Sequence, residues 1–184
     1  KGWRAYLEVR KNGLLPSDDL QIFRAFAEYD QYFSFNKWLS LELIGKARVS
    51  LPRRQPPQSN NQALGYGGNL VRGYDYYVAD GLDFGLFRSS WHFRVLEETF
   101  YLGRFMPIKA YRKMPVKIYL AINNDLGYAQ DPYYTTGNPL SNRLLYGYGP
   151  GLDFVLYYDK SMRFEWTWNH LGEGGFFLRI NTGI

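Results

Sequence analysis

The chain contains no cysteine, which excludes a disulfide framework, a thiolate metal centre and a cysteine nucleophile. Its two histidines, His92 and His170, are too far apart and too poor in neighbouring ligands to suggest a zinc site. No run approaches the ~18 consecutive apolar residues that mark a membrane-spanning helix. No serine stands in a nucleophile-elbow context, so hydrolase chemistry has no support and the chain reads as a non-enzyme. The charge excess is small, 22 basic against 17 acidic residues, and is dispersed along the chain, so nucleic acid is not an expected partner. Nothing implies a cofactor. What the chain has instead is aromatic side chains: 17 Tyr, 13 Phe and 5 Trp make up 19% of it, while 19 Gly and 9 Pro argue against a helical bundle. Many aromatics without a helical span are what a membrane β-barrel carries, its apolar residues spread singly along alternating strands. The chain opens at Lys1-Gly2-Trp3, already inside a strand-like pattern, and reads as a mature or truncated form.

Successive side chains of a strand point to opposite faces, so period two is the test. Trp3, Ala5, Leu7 and Val9 oppose Arg4, Tyr6, Glu8 and Arg10. Phe23, Ala25, Ala27 and Tyr29 oppose Arg24, Phe26, Glu28 and Asp30. Leu39, Leu41, Leu43, Ala47 and Val49 oppose Ser40, Glu42, Lys46 and Arg48. After an irregular stretch, Phe87, Trp91, Phe93 and Val95 oppose Arg88, Ser90, His92 and Arg94. Val116, Ile118, Leu120 and Ile122 then oppose Lys117, Tyr119, Ala121 and Asn123. A sixth segment sets Leu152, Phe154, Leu156 and Tyr158 against Asp153, Val155, Tyr157 and Asp159, and a seventh sets Met162, Phe164, Trp166 and Trp168 against Arg163, Glu165, Thr167 and Asn169. A closing segment, Gly174 to Ile180, groups Phe176, Leu178 and Ile180.

A soluble sandwich would alternate too. The heavily charged polar face and the Trp and Tyr residues near strand ends favour an antiparallel transmembrane barrel with interfacial aromatic girdles. Tight turns are expected at Asp159-Lys160 and His170 to Gly174, and long loops at 52–82, 100–114 and 130–143. Short turns alternating with long loops fit such a barrel. In the longest loop, the Pro/Asn/Gln-rich part, 52–62, is expected as a mobile surface segment, and the Gly/aromatic part as ordered backbone.

That loop ends in Val71-Arg72-Gly73-Tyr74. The tetrapeptide resembles the VRGY/F motif of the BamA-type superfamily of outer-membrane assembly factors and two-partner secretion transporters. Asn124-Asp125-Leu126-Gly127-Tyr128 is similar to the family's aspartate-x-glycine signature on the strand after next. Three strands precede the loop and five follow it, matching the family's ninth to eleventh and twelfth to sixteenth strands. The resemblance implies that 1–184 is the last eight strands of a sixteen-stranded outer-membrane barrel. It implies that the loop folds back into the lumen and that Arg72 meets Asp125 there. Period two independently puts Asp125 on the lumenal face with Lys117, Tyr119 and Asn123.

Three departures from the family pattern stand out. His92 stands where a glutamate usually precedes an aromatic-arginine pair, here Phe93-Arg94, which leaves a hydrogen bond from His92 to Tyr74 or to backbone as the substitute. The periplasmic domains and first eight strands are absent. Asn181 to Ile184 extend past the usual closing aromatic residue.

The function this implies is insertion, folding or translocation of nascent outer-membrane or secreted proteins, with periplasmic or lipoprotein subunits as possible accessories. The closing strand, Gly174-Gly175-Phe176-Phe177-Leu178 onward, would offer a weak seam for substrate strands. The expected location is the outer membrane of a Gram-negative bacterium or an organelle. Outer-membrane lipids surround the barrel, and lipopolysaccharide could meet a basic cluster from Lys109 to Lys117, placed on the exterior. The alternative is a self-contained eight-stranded barrel, structural or lipid-modifying, whose narrow interior has no room for the loop. A third possibility is a soluble carbohydrate-binding sandwich using Tyr and Trp as stacking platforms. Gly65 to Gly68 resembles a phosphate loop only superficially, since no helix follows. His170, in its turn, is expected at the surface.

Overall fold

The computed structural model describes residues 2–13, 21–103, 107–108, 112–133, 137–156 and 160–181. Lys109, Tyr157 to Asp159 and Thr182 to Ile184, named above, lie outside the described residues. The chain is all-β. Its strands are β1 (Gly2–Asn12), β2 (Ile22–Ser34), β3 (Leu39–Leu51), β4 (Gln62–Leu64), β5 (Ala79–Asp80), β6 (Asp83–Tyr101), β7 (Lys113–Gln130), β8 (Leu144–Val155), β9 (Ser161–Asn169) and β10 (Gly174–Asn181). Eight of them form one sheet in the order β1-β2-β3-β6-β7-β8-β9-β10, and β4 pairs with β5 inside the long loop. Every neighbouring pair in the large sheet is antiparallel. Among the described residues β1 and β10 are the two edges and do not pair with each other, so the sheet is open.

Period two decides the two faces. Trp3, Leu7, Val49, Phe87, Leu120, Ile122, Trp166, Phe176, Leu178 and Ile180 all stand exposed on one face. Asp30, Ser50, Asn123, Asp125, Asp153, Glu165 and Thr167 are buried on the other, Asp125 and Glu165 beneath Arg72 of the long loop and Asp30 and Asp153 against Arg4 and Arg163 of the sheet itself. The apolar core sits between loop and sheet: Ala63, Leu64, Val71, Tyr74 and Ala79 pack on Phe84 and Leu86 of β6, Ala129 of β7 and Leu145 of β8. Burying each large apolar side chain contributes about 1.5–3 kcal/mol against the ordering entropy of the Gly/aromatic half of the loop.

The sheet departs from the sequence reading in four places. β8 begins at Leu144, so Gly147, Gly149, Pro150 and Gly151 are strand residues, although glycine and proline in a row read as a turn. β6 and β7 run to 19 and 18 residues and pair almost throughout, with a bulge between Arg94 and Leu96. The 102–112 connection lies at the sheet end opposite the 52–82 loop, because the single strand β6 separates them. Arg112 and Lys113 of the basic cluster therefore cannot share a side with the long loop, and long and short connections do not alternate strictly: the tight 170–173 turn lies at the same end as the 52–82 loop. Lys117 also belongs to β7 and pairs with Glu97 at 3.0 Å.

The fourth departure is in the loop itself. Residues 52–62 are not wholly a free surface segment. Arg53 Nη2 meets Asp83 Oδ2 at 2.6 Å, and fully buried Asn61 donates to Asp131 Oδ2 at 2.8 Å. These anchors fix the polar half of the loop through its own side chains, where hydropathy alone signals nothing.

Candidate functional site

The site is built on one turn of the loop. Tyr74 N–H donates to Val71 C=O at 3.0 Å, closing a β-turn whose third residue, Gly73, has φ +85°. That positive φ is the type II geometry that favours glycine. A Cβ on Gly73 would also come within 2.8 Å of Trp168 O, so the turn lies directly on β9. The turn aims Arg72 at the sheet. Its backbone N–H donates to Asp125 Oδ2 at 2.9 Å, while Nε and Nη2 donate to Oδ1 at 2.9 and 2.5 Å. Nη1 donates to Ser90 Oγ at 2.9 Å and faces Glu165 Oε1 at 3.6 Å. Arg72 thereby bridges β6, β7 and β9 across β8, with both carboxylates essentially excluded from solvent. Charge-assisted, multidentate bonding of this kind fixes geometry more strictly than a point charge can.

The ion pairs continue in both directions. Arg88 Nε approaches Asp125 Oδ2 at 3.5 Å. Glu165 Oε2 accepts from Arg179 Nε at 2.5 Å, and Arg179 Nη2 meets Asp75 Oδ1 at 2.5 Å, which returns the network to the loop three residues after Arg72. The following residues fasten the loop to the β9–β10 hairpin. Tyr74 OH bonds His170 Nδ1, Tyr77 OH donates to Glu173 Oε1 at 3.0 Å, and the Tyr76 ring packs 5.7 Å from Phe177. Hydrogen bonds from Asn169 and Tyr77 hold the Glu173 carboxyl below its usual range.

Glycines make the room. A Cβ on Gly127 would meet Val71 Cγ2 at 2.5 Å and Leu64 Cδ1 at 2.9 Å, and one on Gly147 would overlap the carbonyl oxygen of Arg72. The Asp125-x-Gly127 spacing therefore has a physical meaning. One residue takes the guanidinium and the next on the same face leaves space for the neighbouring valine. Gly127→Ala is expected to destabilise loop docking by about 1–3 kcal/mol through overpacking, and Val71→Ala in the same chain to restore most of it. Thermal unfolding of the three variants checks this; equal loss in the single and double variants would refute the steric account.

Tyr66 supplies a pH handle on the same loop. Its hydroxyl donates to Asp80 Oδ1 at 2.7 Å, and burial, then Asp80, push the phenol up to about 12. A folded value above the ordinary 10.0 means that this stabilisation is complete below pH 10 and is lost as pH rises through about 12. The gap in melting temperature between the wild type and Tyr66→Phe is expected to stay constant to pH 10 and close by pH 12. A gap that persists at pH 12 would count against it.

The structure brings Arg72, Asp125 and Gly127 together but leaves His92 and Arg94 elsewhere. His92 Nδ1 lies 3.2 Å from Asp153 Oδ2 and Nε2 3.6 Å from Glu42 Oε2; it does not touch Tyr74. Arg94 pairs with Glu97. The reason is strand rise: Ser90 is the β6 residue beneath Arg72, and His92 lies about 7 Å further along. The second carboxylate facing Arg72 comes from Glu165 instead, and the partner of Tyr74 from His170, which is exposed yet bonded. Alternation places Glu165 on the polar face, but no spacing in the sequence links it to Arg72, Arg179 or Asp75. Of the closing strand, Gly174 to Leu178, Phe176 and Leu178 lie on the bare face and Phe177 against the loop. All eight β10 residues pair with β9, so this strand is fully laddered on its inner side. Among the described residues no cluster of His, Asp and Glu is arranged to hold a metal ion.

Fold and site define an all-β protein built on an open eight-stranded antiparallel sheet, with a long loop locked to one face by a buried arginine–carboxylate network. Comparison with protein-family models, curated proteins and solved structures finds no match to the chain.

Proposed function

We propose that the chain is the C-terminal part of an outer-membrane β-barrel of the BamA type, acting in the assembly or translocation of other proteins. The observation that carries this reading is the lock itself: Val71-Arg72-Gly73-Tyr74 turns on the polar face, with Arg72 held by Asp125. The bare face supports membrane residence. It is apolar across all eight strands, with aromatic residues near the β2–β3 turn (Phe33, Phe35, Trp38) and beside the β7–β8 connection (Tyr128, Tyr146), and a sheet of this kind is stable when lipid covers it. The open sheet and the loop filling its polar face disfavour a self-contained eight-stranded barrel, whose interior holds side chains only.

In this reading the loop fixes one geometry of the wall, and the edge of β10 offers unpaired backbone groups to an incoming strand. Asp75, Tyr76 and Tyr77 grip the β9–β10 hairpin, so loop docking and the position of the edge are linked. The full-length protein carrying Arg72→Ala, expressed in its host, is expected to reach the membrane at normal levels yet lower the yield of other folded outer-membrane barrels. Normal yield together with a loop that protease can now cut would overturn the reading.

A further inference from the structure

A second cluster on the loop-covered face is built differently from the Arg72 site. Arg10 of β1 and Arg24 of β2 stand directly opposite one another in the ladder, and Arg48 of β3 lies beside them. Like charges directly opposite in a sheet destabilise it. Arg10 is offset by Glu8 at 2.6 Å. Arg24 and Arg48 are not: among the described residues their polar partners are backbone carbonyls only, Asn60 O for Arg24, and Gly81 O at 2.7 Å and Leu82 O at 3.3 Å for Arg48. Asp83, whose field reaches Arg48, is already held by Arg53 at 2.6 Å. The Nε of Arg24 is buried with no hydrogen-bond partner. A cavity of about 280 Å³ opens between these guanidiniums; Phe26, Phe84 and Glu8, the last held by Arg10, also line it, and Asn69 of the loop closes one side. Arg48 stacks 4.9 Å over the Phe84 ring, which holds its fork in place.

Two guanidiniums without counter-charge, one buried donor without an acceptor and a lined cavity are together a site awaiting an anion. We infer that this pocket binds a phosphate group. A phosphate monoester carries close to two negative charges near neutral pH, which matches the two unbalanced arginines; a carboxylate would balance one. Its tetrahedral oxygens can accept from several planar guanidiniums at once, the arrangement for which arginine is suited. The aromatic lining leaves room for an apolar or planar body behind the phosphate. Such a group can come from a lipid headgroup or from a soluble phosphate ester, and the same recognition chemistry serves both.

The test uses the full-length protein in zwitterionic detergent, titrated at constant ionic strength with inorganic phosphate and, separately, with micelles containing phosphatidic acid. Saturable binding and a rise in melting temperature that chloride does not reproduce are expected. Response to inorganic phosphate indicates a soluble source, and response to phosphatidic acid alone a lipid source. Arg24→Gln/Arg48→Gln is expected to weaken binding about tenfold or more, the usual loss for charge-assisted hydrogen bonds, and Arg10→Gln less, since Glu8 already balances Arg10. Without ligand, Arg24→Gln is expected to melt at or above the wild-type temperature, because repulsion is relieved and the amide can still donate to Asn60 O. No response to either probe, undiminished response in the double variant, or a marked fall in the ligand-free melting temperature of Arg24→Gln would overturn the proposal; the last would make the arginines structural.

Discussion

Arg72→Ala is expected to release the 52–82 loop while leaving the eight-stranded sheet intact. Arg72 is 5% exposed and its partners Asp125 and Glu165 are 0% and 1% exposed. Removing one member of a buried charge network costs about 3–5 kcal/mol, mostly because a carboxylate is left in place without its partner. The loss falls unequally. Glu165 keeps Arg179 at 2.5 Å, whereas Asp125 keeps only Arg88 at 3.5 Å and the backbone N–H of residue 72. Asp125 is therefore the group that suffers, and Arg72→Ala/Asp125→Ala is expected to be less damaging than the sum of the two single changes. Arg72→Lys falls between, since one ammonium cannot reach Asp125, Ser90 and Glu165 in the fixed fork that the guanidinium uses. Hydrogen exchange of residues 63–80 checks this directly. Fast exchange there with slow exchange retained in β6 and β7 is the expected pattern, and unchanged protection in the loop would count against the lock.

Gly147→Val is expected to undock the loop at least as completely, by a steric route. A Cβ at residue 147 would overlap the carbonyl oxygen of Arg72 and lie 2.9 Å from its carbon. Both obstacles are backbone atoms, so no rotamer change relieves them, and the loop turn must move off β8. The Arg72 guanidinium would then lose its registration with Asp125 and Glu165 together. Gly85→Ala is the matched control. Gly85 lies on the bare face, nothing stands within 4 Å of its added Cβ, and its effect is expected within about 0.5 kcal/mol. Limited proteolysis at neutral pH separates the two: new cleavage between 62 and 80 in Gly147→Val and none in Gly85→Ala. A Gly147→Val protein with an uncut loop would show that the backbone contact is not required.

These two variants probe features with very different visibility in the sequence. Period-two alternation is enough to assign faces, and it puts Asp125, Asn123 and Lys117 on the polar side. The turn at Gly73, whose positive φ favours glycine, shows only in the structure. Gly147 was illegible. In Leu145-Tyr146-Gly147-Tyr148-Gly149-Pro150-Gly151 the glycines look like loop punctuation, yet Gly147 leaves room for the crossing loop, while a Cβ on Gly149 would meet the β9 backbone at Trp166. His92 was misread for a related reason. It occupies the right strand and the right face, but two residues of rise carry it from the loop turn to Asp153.

The sequence by itself determined the local properties of this protein: eight strands, two faces of opposite character and a long insertion after the third strand. Each follows from side-chain period or backbone conformational preference, which act over a few residues. Only the tertiary structure decided which charges meet. Arg72 joins Asp125 and Glu165, Asp75 joins Arg179, and Arg24 and Arg48 share a cavity whose carboxylate, Glu8, is held by Arg10. Those pairings span tens of residues and depend on strand register, loop path and the space that Gly127 and Gly147 leave open, so they exist only once the sheet is formed and the loop has crossed it.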